Sequence, residues 1–373
     1  MPSKENKTLV ATVLANGSCF VQRPGKTGRS IRSRTLGQVT AFDAAMEDIG
    51  LAIDHMVIAG RDWADRGPDE RQRALNRLRD AGYDLLTILA HEKDRDGFVK
   101  ELLKTDYVQA GGERNVPWEF LYLGSREEPA VLQNFLGAHA AVGFPGDRQD
   151  VPGWLGQTTS LRSDNRYAIR PPGQPLISGL AEDHTLDSAM TKAEAMVLAK
   201  WGLSPITLKP LRGARVGALD AFSAFLSDAI DLVHFNCHAQ AGGRNKPSQI
   251  TLTDEFPIKE TEIVGLAIEI DAIVVLNCCH GIALRRDTRD TVATAFADRG
   301  VRAIIGPTNE VADDFATLWA DHFYAALVDG EAVGQAVLSA RQSLFALPNA
   351  NPLALLYAFI GEHDARLAQE LAA

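Results

Sequence analysis

Cysteine is scarce in this chain. Its 373 residues hold four, Cys19, Cys237, Cys278 and Cys279, three of them inside apolar runs and none at paired C-x-x-C spacing. That excludes a small disulfide-stapled scaffold and predicts a reducing compartment, with thiols kept for packing or chemistry. No segment approaches the roughly 18 uninterrupted apolar residues of a membrane-spanning helix. The first residues, Met1 to Thr8, are polar, with no apolar signal-type run behind them. A cytoplasmic protein without a membrane partner is the expectation. Excess positive charge is missing too, since 38 Lys plus Arg face 48 Asp plus Glu and leave a net charge of -10. General nucleic-acid binding needs a basic surface to displace phosphate counterions, so it is not expected here. The one basic stretch, Arg23 to Arg34, also carries Gly25, Gly28 and several Ser and Thr, and reads as a solvated loop.

What is present is ordinary for a folded protein: 46% hydrophobic and 23% charged residues, over a length that suits two domains. Two apolar runs around Asn16-Gly17 predict an opening hairpin. Apolar residues at spacings of three and four between Gly37 and Asp80 predict helices. Leu85 to Leu89 reads as a buried strand, and Pro117, in Val116 to Tyr122, suits a first helical turn. Gly143 to Gly173 is rich in Gly, Pro, Asp and Arg without periodicity, a linker or long surface excursion. Its Arg148, Arg162, Arg166 and Arg170 would be accessible to cleavage.

Beyond it, short apolar runs alternate with helical ones. Strands are expected at 176–177, 206–208, 231–235, 272–276 and 301–305, and helices at 192–201, 216–229, 291–298, 313–328 and 333–345. This alternation predicts an α/β sandwich with a largely parallel sheet and right-handed crossovers. Chemistry in such sheets sits at the carboxyl ends of strands.

Two strand ends are unusual. One reads His234-Phe235-Asn236-Cys237-His238-Ala239 and the other Leu276-Asn277-Cys278-Cys279-His280-Gly281. If the two strands are parallel neighbours, His238 and Cys279 emerge at one edge as nucleophile and base. A thiol is mostly protonated at neutral pH, so a hydrolase that uses it wants an imidazole nearby. Backbone N–H groups at Cys279 and Ala239 would then face the developing oxyanion. Cys237 and Cys278 alternate away from that face and read as core residues, and His234 as a strand histidine. The Cys and His residues offer soft zinc ligands, but adjacent strand residues diverge and no paired ligand spacing occurs, so no metal and no other cofactor is expected.

These two strand ends, with Val116-Pro117-Trp118-Glu119-Phe120-Leu121-Tyr122, resemble the CHAT family, bacterial relatives of caspases and separase. Val301 to Leu327 and the helix Val333 to Leu344 are similar to that family's pattern as well. The resemblance implies a caspase-like αβα sandwich preceded by a smaller, catalytically empty α/β half. Residues 1–150 would be that half, 151–173 the linker and 174–373 the peptidase domain. It implies a cysteine endopeptidase with His238 and Cys279 as its dyad, acting on protein substrates. Such enzymes are held latent until a partner or signal arrives and serve antiviral defence or regulated cell death. Two departures stand out: Ala239 replaces a glycine after the histidine, and His280-Gly281 replaces Glu-Thr-Gly after the nucleophile. An acidic residue in the separase relatives receives a basic P1 side chain. Asp313 is the match here, with Glu310 and Asp314 beside it, so cleavage after Arg or Lys is expected. The competing reading is a catalytically silent CHAT-like module that binds a partner protein.

Overall fold

The computed structural model describes residues 8–14, 19–22, 31–32, 39–90, 94–112, 115–144, 178–183, 188–227, 230–243, 246–253, 256–282 and 291–367. The expected linker with its four arginines, the Asn16-Gly17 turn and most of the basic stretch lie outside these residues. The chain forms two compact units. The first runs to residue 144 and is completed by Arg341–Leu355, and the second contains the described residues from 178 to 340 and from 356 to 367.

The first unit contains strands β1 (Thr8–Val13), β2 (Cys19–Gln22), β3 (Ile31–Arg32), β4 (Tyr107–Gly112) and β5 (Ala141–Phe144), in the order β3-β2-β1-β4-β5. The expected hairpin is the antiparallel β1–β2 pair, with Ala11 opposite Val21. β1, β4 and β5 run parallel, with Ala11 opposite Ala110 and Val108 opposite Val142. Helices α1 (Val39–Gly60) and α2 (Pro68–Leu89) pack against each other, and α3 (Arg95–Leu102) leads into β4. The strand expected at Leu85 to Leu89 is instead the last turn of α2. Leu78, Gly82, Leu85, Leu86 and Leu89 are buried and continue a three-and-four spacing, whereas the apolar run taken alone fits either structure. Pro117 opens a single 3-10 turn over Trp118–Phe120, not a longer helix.

The second unit opens with β6 (Ser178–Glu182), α4 (Ser188–Lys200), β7 (Ile206–Thr207) and α5 (Arg215–Ser227). β8 (Leu232–Asn236), β9 (His238–Gln240), β10 (Gln249–Leu252), β11 (Phe256–Lys259) and α6 (Glu260–Val264) follow. Then come β12 (Ile273–Leu276), α7 (Val292–Ala297), β13 (Ala303–Pro307), α8 (Asp313–Val328) and, after α9 (Val333–Phe345), β14 (Tyr357–Gly361). From Arg341 onward α9 belongs to the first unit.

Six strands make the second unit's main sheet, in the order β14-β13-β12-β8-β6-β7. All its pairs are parallel except β13–β14. Every residue of β8, β12 and β13 is buried, as expected for Val- and Ile-rich strands covered on both faces. Alternation along β8 decides what covers each face. His234 meets Glu194 of α4 and Tyr324 of α8 on one side, and Phe235 meets Phe222 of α5 and Phe296 of α7 on the other. The architecture is a mixed α/β sandwich, helix layer on sheet on helix layer. β9, β10 and β11 form a separate antiparallel sheet beyond the end of β8.

Candidate active site

The sequence reading depended on two strands being parallel neighbours, and they are: β8 pairs with β12, Val233 opposite Val274 and Phe235 opposite Leu276. The register persists past both strands. The Asn277 N–H donates to the Phe235 carbonyl at 2.9 Å, and Cys237 and Cys278, the next residues on each chain, are both buried. His238 and Cys279 each follow the last paired position, Phe235 opposite Leu276, by three residues, but the two chains part there, His238 entering β9 of the separate sheet and Cys279 the turn after β12. His238 is exposed as the first residue of β9, where it pairs with Thr251, and Ala239 is half-buried opposite Ile250.

Cys279 lies half-buried in the turn that follows β12. Two glycines allow this turn to fold tightly: a Cβ on Gly281 would stand 2.5 Å from the Leu276 carbonyl oxygen, and one on Gly306 2.6 Å from the same atom. Between Cys279 and Gly281, His280 takes a left-handed conformation with φ of 58°. That region is unusual for a residue with a side chain and recurs at functional turns.

The stretch after β13 lies along the turn and holds it. The His280 N–H donates to the Asn309 carbonyl at 3.1 Å, that of Gly281 to Cys278 at 3.0 Å and that of Ile282 to Pro307 at 3.0 Å. The Cys279 N–H makes no backbone hydrogen bond among the described residues. Its thiol donates to the Val311 carbonyl at 3.7 Å. Burial pushes that thiol above its ordinary range, and Cys278 and the carboxylates of Glu310 and Asp313 push it the same way. Negative charge nearby penalises a second negative charge. Burial also drives Cys237 well above the usual thiol range, as befits a core thiol.

The expected substrate-binding acids are therefore not equivalent. Glu310 and Asp313 both stand close enough to act on the thiol. Glu310 is half-exposed with Oε1 3.9 Å from His280 Nε2, and Asp313 is exposed as the first residue of α8. Asp314 turns instead to its own helix, its carboxylate accepting the Phe315 N–H at 2.8 Å.

Beneath the turn lies a buried polar network that the sequence reading did not assemble. The Asn277 amide donates to Glu194 Oε1 at 2.6 Å and to the Ala316 carbonyl at 3.3 Å, and its Oδ1 accepts from the Tyr357 hydroxyl at 2.8 Å. Glu194 Oε2 bonds His234 Nε2, and His234 Nδ1 lies 2.7 Å from the Tyr324 hydroxyl. His234 does sit within a strand, as expected. The usable signal was a histidine in the middle of an apolar run, since a buried polar group demands partners. Among the described residues, no group of three or more His, Cys, Asp or Glu side chains is arranged to hold a metal ion, and no helix is long and apolar enough to cross a membrane.

The fold is that of a caspase-like α/β sandwich with a mostly parallel central sheet. The CHAT domain model matches residues 108–366, and the chain belongs to that family. Separase of Saccharomyces cerevisiae, in complex with securin, is similar at a TM-score of 0.50 and 9% identity, over 95% of this chain and 30% of that one. The chain thus spans under a third of the separase chain's length. Porphyromonas gingivalis RgpB, a complex of pro- and mature domains, matches at 0.46 and 11% identity, over 84% of this chain and 76% of that one. The Drosophila initiator caspase Dronc matches at 0.30 and 5% identity, over 52% and 81%. Among curated proteins no sequence matches the chain.

Proposed function

We propose that this chain is a cysteine endopeptidase in which Cys279 is the nucleophile and His238 the general base. The observation that supports the proposal is the β8–β12 register: Phe235 lies opposite Leu276, and His238 and Cys279 each follow three residues later, beyond the carboxyl ends of neighbouring parallel strands. His238 takes the thiol proton as sulfur attacks the scissile carbonyl. The carbonyl electron pair moves onto oxygen, where the N–H groups of Cys279 and Ala239 receive it. As the C–N bond breaks, His238 returns the proton to the leaving amine and a thioester remains. Water, deprotonated by His238, then attacks the thioester carbonyl; the C–S bond breaks, the carboxylic product leaves and the proton held on His238 passes to sulfur, restoring the thiol.

The same geometry supports latency. Burial and two carboxylates raise the resting thiol above its ordinary range, so attack in this arrangement depends on His238 as base and would be eased by a cation received beside Glu310 and Asp313. An Arg or Lys P1 side chain would bring that cation, which ties the proposed basic P1 preference to Asp313 and Glu310. Family membership supports an activating partner or signal and a role in antiviral defence or regulated cell death.

The test is new-terminus mass spectrometry on host lysate co-expressing the wild-type chain or Cys279→Ala, with the genomic neighbours supplied in both. New termini confined to the wild type, each following Arg or Lys, are expected. Cuts after Asp or apolar residues would remove the basic P1 proposal while leaving the peptidase. Identical termini from both chains would leave the silent, partner-binding module as the better reading.

A further inference from the structure

One carboxylate joins the two strands that end in His238 and Cys279. Glu194, buried on α4, spends its two oxygens on different strands, Oε2 on His234 of β8 and Oε1 on Asn277 immediately after β12. His234 stands four residues before His238, and Asn277 two residues before Cys279. Both bridged side chains are braced a second time, His234 by Tyr324 of α8 and Asn277 by Tyr357 of β14. With a carboxylate accepting at Nε2, the imidazole of His234 offers Nδ1 to the tyrosine hydroxyl.

We infer that Glu194 is a positioning residue for the dyad, limiting through His234 and Asn277 how far the chain splays beyond the ends of β8 and β12 and hence where His238 meets Cys279. The inference rests on the dyad reading. Neither His234 nor Glu194 touches the reacting atoms. Backbone hydrogen bonds between parallel strands fix register but leave the tips free to splay where the ladder ends, here at Asn236 and Leu276. A side-chain clamp at that level restrains the tips, because small misplacements of reacting groups are costly. A glutamine can keep the arrangement. Its carbonyl accepts from Asn277 and its amide donates to the other tautomer of His234. An alanine cannot.

The experiment measures iodoacetamide alkylation of Cys279 in the full chain, with and without His238→Ala, in wild-type, Glu194→Gln and Glu194→Ala backgrounds. The quantity of interest is the factor by which His238 accelerates the reaction. That factor is expected to be about tenfold or more in the wild type, within about threefold of it in Glu194→Gln, and near one in Glu194→Ala. Rescue by glutamine distinguishes geometry from carboxylate charge. If Glu194→Ala fails to fold by circular dichroism, Tyr324→Phe and Tyr357→Phe each loosen one brace, and each should lower the factor. A folded Glu194→Ala with the full wild-type factor, or two phenylalanine variants that leave it unchanged, overturns the positioning role alone. A factor of one in the wild type overturns the dyad reading and this inference with it.

Discussion

Glu119 in the first unit and Glu194 in the second are both buried carboxylates, and they are held in opposite ways. Glu119 faces the wholly buried Arg341 at 3.8 Å, too far for a hydrogen bond, and its Oε1 has no hydrogen-bond partner. Burial lifts it to about 7 despite the guanidinium, and burial lowers Arg341 to about 10. Glu194 has a hydrogen bond on each oxygen. The parallel strands above them differ in the same sense. Those of the first unit end in Val13, Gly112 and Phe144, none of them able to transfer a proton or attack a carbonyl, whereas β8 and β12 run into Cys237-His238 and Cys278-Cys279. A loosely matched buried pair contributes charge and pH sensitivity but little geometry. A doubly bonded carboxylate fixes the position of what lies above it, and it occurs in the unit with chemistry to position.

The largest effect expected from breaking this comparison is that of Arg341→Ala, which leaves Glu119 buried beside no cation. Loss of one partner of such a pair costs about 3–5 kcal/mol, so the urea midpoint should fall steeply at pH 8. The loss should shrink at pH 5.5, where Glu119 is protonated. An equal loss at both values would mean that Arg341 matters for packing and not for charge. Glu119→Gln sharpens the point with a smaller change. A carboxyl raised from 4.5 to about 7 contributes stability that is fully present below 4.5 and lost as pH rises through about 7. The difference between wild type and Glu119→Gln should therefore drift by up to about 3 kcal/mol across that window. A flat difference would remove the elevated titration.

Much of the second unit was legible in the sequence. The helices Asp313–Val328 and Val333–Phe345 fall on their expected limits, because their apolar spacing runs uninterrupted. β8, β12 and β13 are each displaced by a residue or two, and their parallel order follows from alternation with helices. The sheet of β9, β10 and β11 escaped notice, since strands of three or four residues carry too little periodicity to read. So did β4 and β5, where Gly111, Gly112 and Gly143 dilute the apolar pattern. Strand-end chemistry was visible because Cys and His are conspicuous within Val-Ile runs. Glu194 was invisible because a glutamate on a helix is ordinary, and only the fold reveals that this one faces the sheet.

Gly281→Ala probes the geometry of the second unit directly. Its new methyl would press on the Leu276 carbonyl, which is backbone and cannot swing aside, so the turn carrying Cys279 must shift. Overpacking of this kind costs about 1–3 kcal/mol. The larger consequence is functional: the His238-dependent share of Cys279 reactivity should vanish while the fold persists by circular dichroism. Retention of that share would mean that the turn tolerates displacement, and it would weaken the contrast between a positioned site and an unpositioned one.

The smallest expected effect comes from the other end of the helix that carries Glu194. Lys200, at the carboxyl end of α4, bonds Asp321 of α8 at 2.7 Å, and Asp321 also accepts from the Trp201 indole at 2.7 Å. The geometry is better than that of Glu119 with Arg341, yet the Lys200 side chain is 55% exposed, whereas that of Arg341 is wholly buried. Hydrogen bonds from Lys200 and Trp201 hold the Asp321 carboxyl below its ordinary range even against partial burial, so its contribution is present at neutral pH and lost on acidification. Solvent screening caps such a pair at about 1 kcal/mol. Lys200→Ala should therefore move the urea midpoint slightly, and added salt should erase the shift, whereas the cost of Arg341→Ala should survive salt. A Lys200 effect as large and as salt-resistant as that of Arg341 would mean that burial does not decide which ion pairs matter in this protein.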